Sequence, residues 1–236
     1  MEPSIDIAGL NSKFETESPG RILMWACETF NPEKIAVTSS FQSQSVPLLH
    51  MISQYTPNLT VLFIDTGFHF PETLVFKDQL ERNLGLNIKS IKPETSPNRF
   101  KWQTRELYHN NPDLCCYINK VKPFQDARLK LHGWITGIRR DQTGVRASTS
   151  IISVDDDGLY KICPMATWTQ DDVWSYINEH KLPVHPLLSQ GYLSIGCAPC
   201  TRPVHPGEGD REGRWSDQLK TECGLHISIE NESVGS

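Results

Sequence analysis

The chain has 236 residues, 38% of them hydrophobic and 22% charged, with a formal net charge of −5. That length allows one large domain or two small ones, no apolar run approaches a membrane span, and the acidic balance excludes a general nucleic-acid binder. Seven cysteines, an odd number, do not suit a secreted disulfide framework, and the polar residues 1–20 lack the basic and apolar regions of a signal peptide, so a reducing, cytoplasmic setting is expected.

Residues 1–17 are expected to be disordered. A helix is predicted over 21–30 and a strand over 34–38. A serine-rich loop, residues 39–45, leads into a helix over 46–54, with Pro47 acceptable in its first turn. A second strand is predicted over 60–64 and a proline-led helix over 71–83. Further strands are expected at 87–91 and 134–137, and a helix over 119–131. Thr169 caps another helix, with Asp171 and Asp172 in its first turn. Strands alternating with helices imply an α/β fold, a parallel sheet flanked by helices. From Thr201 onward Pro203, Pro206, Gly207, Gly209 and Gly213 come in quick succession. That composition reads as a flexible connection to a short helix over 215–222 and then a tail. The expected organisation is a main domain over 18–200 and a mobile C-terminal segment over 201–236.

In such sheets ligands bind at the carboxyl ends of the strands. Three predicted loops lie there. The first carries Ser39, Ser40, Ser43 and Ser45, whose hydroxyls and loop N–H groups can hold a phosphate or sulfate. It lacks the Gly-Lys-Ser/Thr end of a Walker loop, and a plain serine-rich turn is the competing reading. The second begins with Asp65 and Thr66. The third runs from Gly137 through Arg139 and Arg140 to Arg146. Arginines at a strand end can clamp oxyanions bidentately, although one of Arg139 and Arg140 is expected to serve ion pairing alone.

The thiols carry the sharpest signal. Cys115 and Cys116 are adjacent, and Cys197-Ala-Pro-Cys200 is a spaced pair. Two tight groups point to a metal centre. Structural zinc favours two spaced pairs, whereas iron–sulfur clusters take four thiolates at separate corners. The tandem pair therefore favours a 4Fe–4S cluster without excluding zinc. Lys120, four residues after Cys116, lies on the same face if a helix begins at the pair, where its ammonium would offset thiolate charge. A solvated surface lysine is the competing reading. Cys27 and Cys163, in apolar and unpaired contexts, read as packing residues.

Cys223 sits in a polar tail, Glu222-Cys223-Gly224-Leu225-His226. A helix C-terminus and Glu222 both disfavour a thiolate there. A reactive Cys223 needs cations, and Arg211, Arg214, Lys220 and His226 are the candidates near in sequence.

Together these segments resemble the assimilatory sulfonucleotide reductases, in particular the iron–sulfur adenylyl-sulfate (APS) reductases. The resemblance spans about residues 30–226, and its most specific parts are Cys197–Cys200 and the Glu-Cys-Gly-Leu-His tail. It implies an adenine nucleotide α-hydrolase-like fold with a mobile C-terminal segment. It also implies a 4Fe–4S cluster on Cys115, Cys116, Cys197 and Cys200, with Lys120 linking it to the substrate site. Arg146, Arg211 and Arg214 would hold the phosphosulfate. Cys223 would be the nucleophile that forms an S-sulfocysteine, and thioredoxin would release sulfite. The 3′-phosphorylated substrate (PAPS), alone or alongside APS, is the nearest alternative. An iron–sulfur ATP-pyrophosphatase that thiolates tRNA is a remote one, since the glycines and aspartate of a pyrophosphatase loop are absent. A non-catalytic zinc module would leave Cys223 without a purpose.

Overall fold

A computed structural model describes residues 5–94, 107–216, 220 and 222–225. The chain divides into two compact units. The first comprises Met1–Phe63, Glu72–Lys89 and Arg128–Pro186, and the second Ile64–Pro71, Ser90–Ala127 and Leu187–Ser236. This interleaving differs from the sequential division at residue 200, because chain segments distant in sequence fold together.

The first unit is built on a six-stranded sheet. Strands β1 (Ile35–Thr38), β2 (Thr60–Ile64), β3 (Asn87–Ile91), β4 (Gly133–Thr136), β5 (Ile152–Val154) and β6 (Tyr160–Ile162) lie in the order β3-β2-β1-β4-β6-β5. β1 pairs in parallel with β2 and β4, placing Val37 opposite Val61 and Ile135. All four residues of β1 and of β4 are buried, as expected for central strands covered on both faces. β6 joins in parallel and β5 closes the edge antiparallel to it, so the sheet is mixed rather than wholly parallel.

Helices α1 (Ile7–Phe14), α2 (Pro19–Thr29), α3 (Val46–Tyr55), α4 (Pro71–Leu84) and α7 (Gln170–Glu179) surround this sheet. α3 and α4 are the crossovers β1–α3–β2 and β2–α4–β3. Ser18 caps α2, and Thr169 caps α7 in a box with Asp172, which satisfies N–H groups that the first helical turn leaves unpaired. One core joins the elements, with Ile22, Leu49, Ile52, Phe63, Ile135 and Ile177 among its members. Residues 7–14, expected to be disordered, are helical instead. Asn11 anchors them by accepting from the Ile152 N–H and donating to the Ile152 carbonyl, both at 2.8 Å.

The second unit contains α5 (Pro112–Cys116), a π-helical turn (Tyr117–Val121) and the start of α6 (Lys122–Arg128). The Lys122 N–H reaches back five residues to the Tyr117 carbonyl, which defines the π-turn. The helix therefore starts earlier than predicted and is interrupted at Lys120. Val121, Phe124, Leu187, Ile195 and Trp215 are buried in this unit. Half of the predicted 215–222 helix falls outside the described residues.

Candidate active site and metal centre

Both thiol pairs lie in the second unit and line one cavity. Cys115, Cys116, Cys197 and Cys200 share its walls with Lys120 and Arg214, and it holds about 420 Å³ of empty space, mouth included. Among the described residues no three of His, Cys, Asp or Glu converge as ligands of a metal ion.

Local hydrogen bonds hold Cys115, Cys197 and the backbone of the CxxC turn. Cys115 is buried on α5, and Asn119, 2% exposed, donates to its carbonyl at 2.9 Å and its Sγ at 3.5 Å. Thr66 Oγ1 lies 3.3 Å from Cys197 Sγ. The Ala198 N–H donates to the Phe68 carbonyl at 2.7 Å, and the Cys200 N–H closes the CxxC turn on the Cys197 carbonyl at 3.0 Å. Burial pushes the Cys116 thiol up to about 11, against the pull of Lys120 and Lys220. Burial, then the neighbouring Cys197, Cys116 and Cys115, push Cys200 up to about 12. Ionising Cys116 and Cys200 requires compensating positive charge, which metal ligation supplies.

Three buried polar atoms of residues that line the cavity have no hydrogen-bond partner among the described residues: Asn119 Oδ1, Arg214 Nε and Trp215 Nε1. The latter two can only donate. Buried donors are almost always paired, so these two suit a guest rich in acceptors. An iron–sulfur group held by four thiolates has that character, and the residues present fit it.

Cys223 is half-buried and lies outside any helix. Gly224 adopts φ +82°, the left-handed conformation expected of a glycine there. Burial pushes the Cys223 thiol up and Glu222 adds to that. Lys120, the Leu225 N–H and Arg214 outweigh them, and the thiol lies below the ordinary cysteine value. Lys120 is in turn lowered by burial and raised more by Cys223 and Cys197. Lys120 thus lines the thiol cavity and favours the ionised Cys223 thiol, and is not a solvated surface lysine. Glu222, read in sequence as an opposing charge, is ion-paired with Arg211 at 3.4 Å. The Arg214 guanidinium carbon lies 4.5 Å from the Trp215 ring centroid. Lys220 pairs with Asp113. In the same unit Asp65 accepts from Lys92 at 3.2 Å and from the Gly67 N–H at 3.0 Å. His226 lies outside the described residues.

The other predicted residues belong to the first unit. Ser40 and Ser45 hydroxyls are 3.3 Å apart, and Ser39 Oγ accepts from the Phe41 N–H at 3.1 Å. Phe41 holds φ +54° with its ring buried edge-on to Phe63, an unusual conformation for a bulky residue. Ser43 Oγ accepts from the His185 N–H at 2.9 Å. Gly137 sits at the end of β4, where an added Cβ would approach Leu48 Cδ2 to 3.1 Å. Arg146 is buried and donates to Gln142. Arg139 and Arg140 both serve the fold. Arg139, 2% exposed, bonds Asp141 at 2.9 and 3.2 Å and Gln44 at 3.0 Å. Arg140 forks onto Glu15 at 2.6 and 2.8 Å. Cys163 is buried and its thiol is pushed up to about 12 by burial, in keeping with a packing role.

Sequence reasoning missed Asn119 as a cavity residue, and also Phe68 and Tyr108. Only their nearness to Cys115 or Asp65 in the chain hinted at them.

The profile of the phosphoadenosine phosphosulfate reductase domain family matches residues 34–203. An adenosine 5′-phosphosulfate reductase of Salinibacter ruber is 42% identical over 232 residues, covering 97% of this chain and 92% of the relative. One from Streptomyces coelicolor is 43% identical over 207 residues, covering 87% and 86%. The crystal structure of phosphoadenylyl-sulfate reductase from Candida auris, a phosphate complex, superposes with a TM-score of 0.73 at 31% identity, over 83% of this chain and 96% of that one. An FMN adenylyltransferase of Candida glabrata shares the fold alone, with a TM-score of 0.59 at 15% identity over 97% and 81%.

Proposed function

The chain belongs to the phosphoadenosine phosphosulfate reductase domain family, and we propose that it is an adenylyl-sulfate reductase working in sulfate assimilation for cysteine biosynthesis. It converts APS to sulfite and AMP. The observation that carries this reading is electrostatic. Lys120 and Arg214 line the thiol cavity and also draw the Cys223 thiol toward its ionised form.

The Cys223 thiolate attacks the sulfate sulfur of APS. A Cys223 Sγ–sulfur bond forms, and the bond from that sulfur to the bridging oxygen breaks. AMP leaves with that oxygen and its electron pair. Lys120 and Arg214, with Arg211, balance the charge of the phosphosulfate and of the leaving phosphate. Thioredoxin, a dithiol protein, then attacks Cys223 Sγ and displaces sulfite. Its second thiol resolves the mixed disulfide and restores Cys223. Two electrons pass from the dithiol to sulfur.

Cys115, Cys116, Cys197 and Cys200 are the proposed holders of a 4Fe–4S cluster. Bound there, it would supply fixed charge and bracing, with no redox step assigned to it. On the first unit, Ser39, Ser40, Ser43, Ser45, Gly137 and Arg146 are the proposed nucleotide contacts.

APS is preferred over PAPS. A 3′-phosphate needs dedicated cationic donors, and Arg139 and Arg140, the unassigned pair, are engaged with Asp141 and Glu15. A missing contact worth about 1.4 kcal/mol is about tenfold. The expected kcat/KM ratio is therefore at least about tenfold in favour of APS in a thioredoxin-coupled assay at fixed ionic strength. Equal or greater efficiency with PAPS would refute this preference.

A further inference from the structure

We propose that Gly196 is a positioning residue for the sulfonucleotide site: its missing side chain forms the berth in which the Arg214 guanidinium lies. The inference rests on the reading above, in which Arg214 holds the phosphosulfate.

A Cβ on Gly196 would stand 2.1 Å from Arg214 Nη2, 2.3 Å from Cζ and 2.8 Å from Nε. Favourable contacts between heavy atoms lie near 3.5–4.0 Å, so the two groups cannot share this space. Backbone conformation is not the reason for the glycine. Gly196 is absent from the left-handed glycines, among them Gly191 and Gly224. An alanine fits the backbone and fails on volume alone.

What must give way is the arginine. The three nearest obstructing atoms all belong to the end of one flexible side chain, and none to backbone. The turn beneath is pinned. The Gly196 N–H donates to Thr201 Oγ1 at 3.2 Å, and that hydroxyl donates to the Cys197 carbonyl at 2.8 Å. The Arg214 backbone is also held, by its bridge to Thr201 and its N–H bond to the Arg211 carbonyl at 2.9 Å. The guanidinium is thus confined between Gly196 and the Trp215 ring. There its buried Nε has no partner among the described residues, and Arg214 is one of the residues that line the cavity. A planar fork so confined is oriented before a ligand arrives, and a bidentate anion contact depends on that orientation.

The test is APS binding in a Cys223→Ser background, which leaves the nucleotide unreacted. Gly196→Ala should raise the dissociation constant by on the order of tenfold to a hundredfold, the range for a charge-assisted contact. Iron content and thermal midpoint should be unchanged. Arg214→Ala should cost about as much, and adding Gly196→Ala to it should cost nothing more. Arg214→Lys, a slimmer side chain, should likewise make Gly196→Ala nearly silent. A neutral Gly196→Ala overturns the inference, as does an equal loss from Gly196→Ala whether Arg214 is intact or already replaced by alanine. Failure of Gly196→Ala to fold also overturns it, because only flexible atoms were to yield. Absence of any APS binding when Gly196 and Arg214 are both intact sinks the underlying reading, a result distinct from these.

Discussion

Acidification should weaken the sheet unit through one histidine. His185 is fully buried, at 0% exposure. Its Nε2 lies 3.0 Å from Thr73 Oγ1, its backbone N–H donates to Ser43 Oγ, and the Phe76 ring packs 5.2 Å away. Burial lowers its proton affinity from the ordinary 6.5 to about 4, and Glu72 opposes this weakly. The unfolded chain takes up the proton near pH 6.5, and the folded chain does not until about pH 4. Stability is therefore fully present above pH 6.5 and is lost progressively as pH falls toward 4. At about 1.36 kcal/mol per tenfold in proton affinity the loss is about 3 kcal/mol, a large part of a typical ~5–15 kcal/mol. Anaerobic urea unfolding of wild type and His185→Gln from about pH 7 to about pH 4.5 isolates it. Glutamine offers Thr73 an amide nitrogen but does not titrate. The wild type should lose about 2–3 kcal/mol more than the variant across that window. Parallel pH profiles would refute the argument.

Other substitutions test separate parts of the account. Lys120→Met should shift the pH midpoint of Cys223 alkylation upward, because Lys120 is the leading cation holding that thiol down; an unmoved midpoint would contradict its placement. Arg139→Ala should destabilise by about 1–3 kcal/mol, since Asp141 and Gln44 lose a buried donor, and Arg139→Lys should recover little because an ammonium cannot reproduce the fork. Thermal unfolding of the two variants decides that point. Gly213→Ala should lose iron, because its Cβ would meet the Arg202 carbonyl oxygen, a backbone atom, at 2.3 Å and break the pairing beside Cys200; full iron retention would show that this pairing does not brace the CxxC turn.

Much of the architecture was legible because its signals are local. β1, α3, β2 and α4 follow from buried apolar runs alternating with proline-led helices. The grouping of Cys115-Cys116 and Cys197–Cys200 was legible as chemistry before any coordinates. What escaped depends on distant partners. α1 is held by Asn11 bonding across 141 positions to Ile152, which no window of sequence reveals. β5 and β6 have three residues each, too few for a period-two pattern to stand out. The π-turn at Lys120 is set by hydrogen-bond register within an otherwise helical sequence. Arg139 was expected to be a candidate clamp, and Asp141, two positions on, already hinted at its structural role.

The central claim is that Cys223 takes the sulfuryl group from APS. Anaerobic protein incubated with APS and no thiol reductant, then digested and analysed by mass spectrometry, addresses it directly. The account predicts one SO₃ adduct on the peptide bearing Cys223, formed with stoichiometric AMP and discharged as sulfite when reduced thioredoxin is added. An adduct on Cys27 or Cys163 instead, or AMP release with Cys223 unmodified, would contradict it.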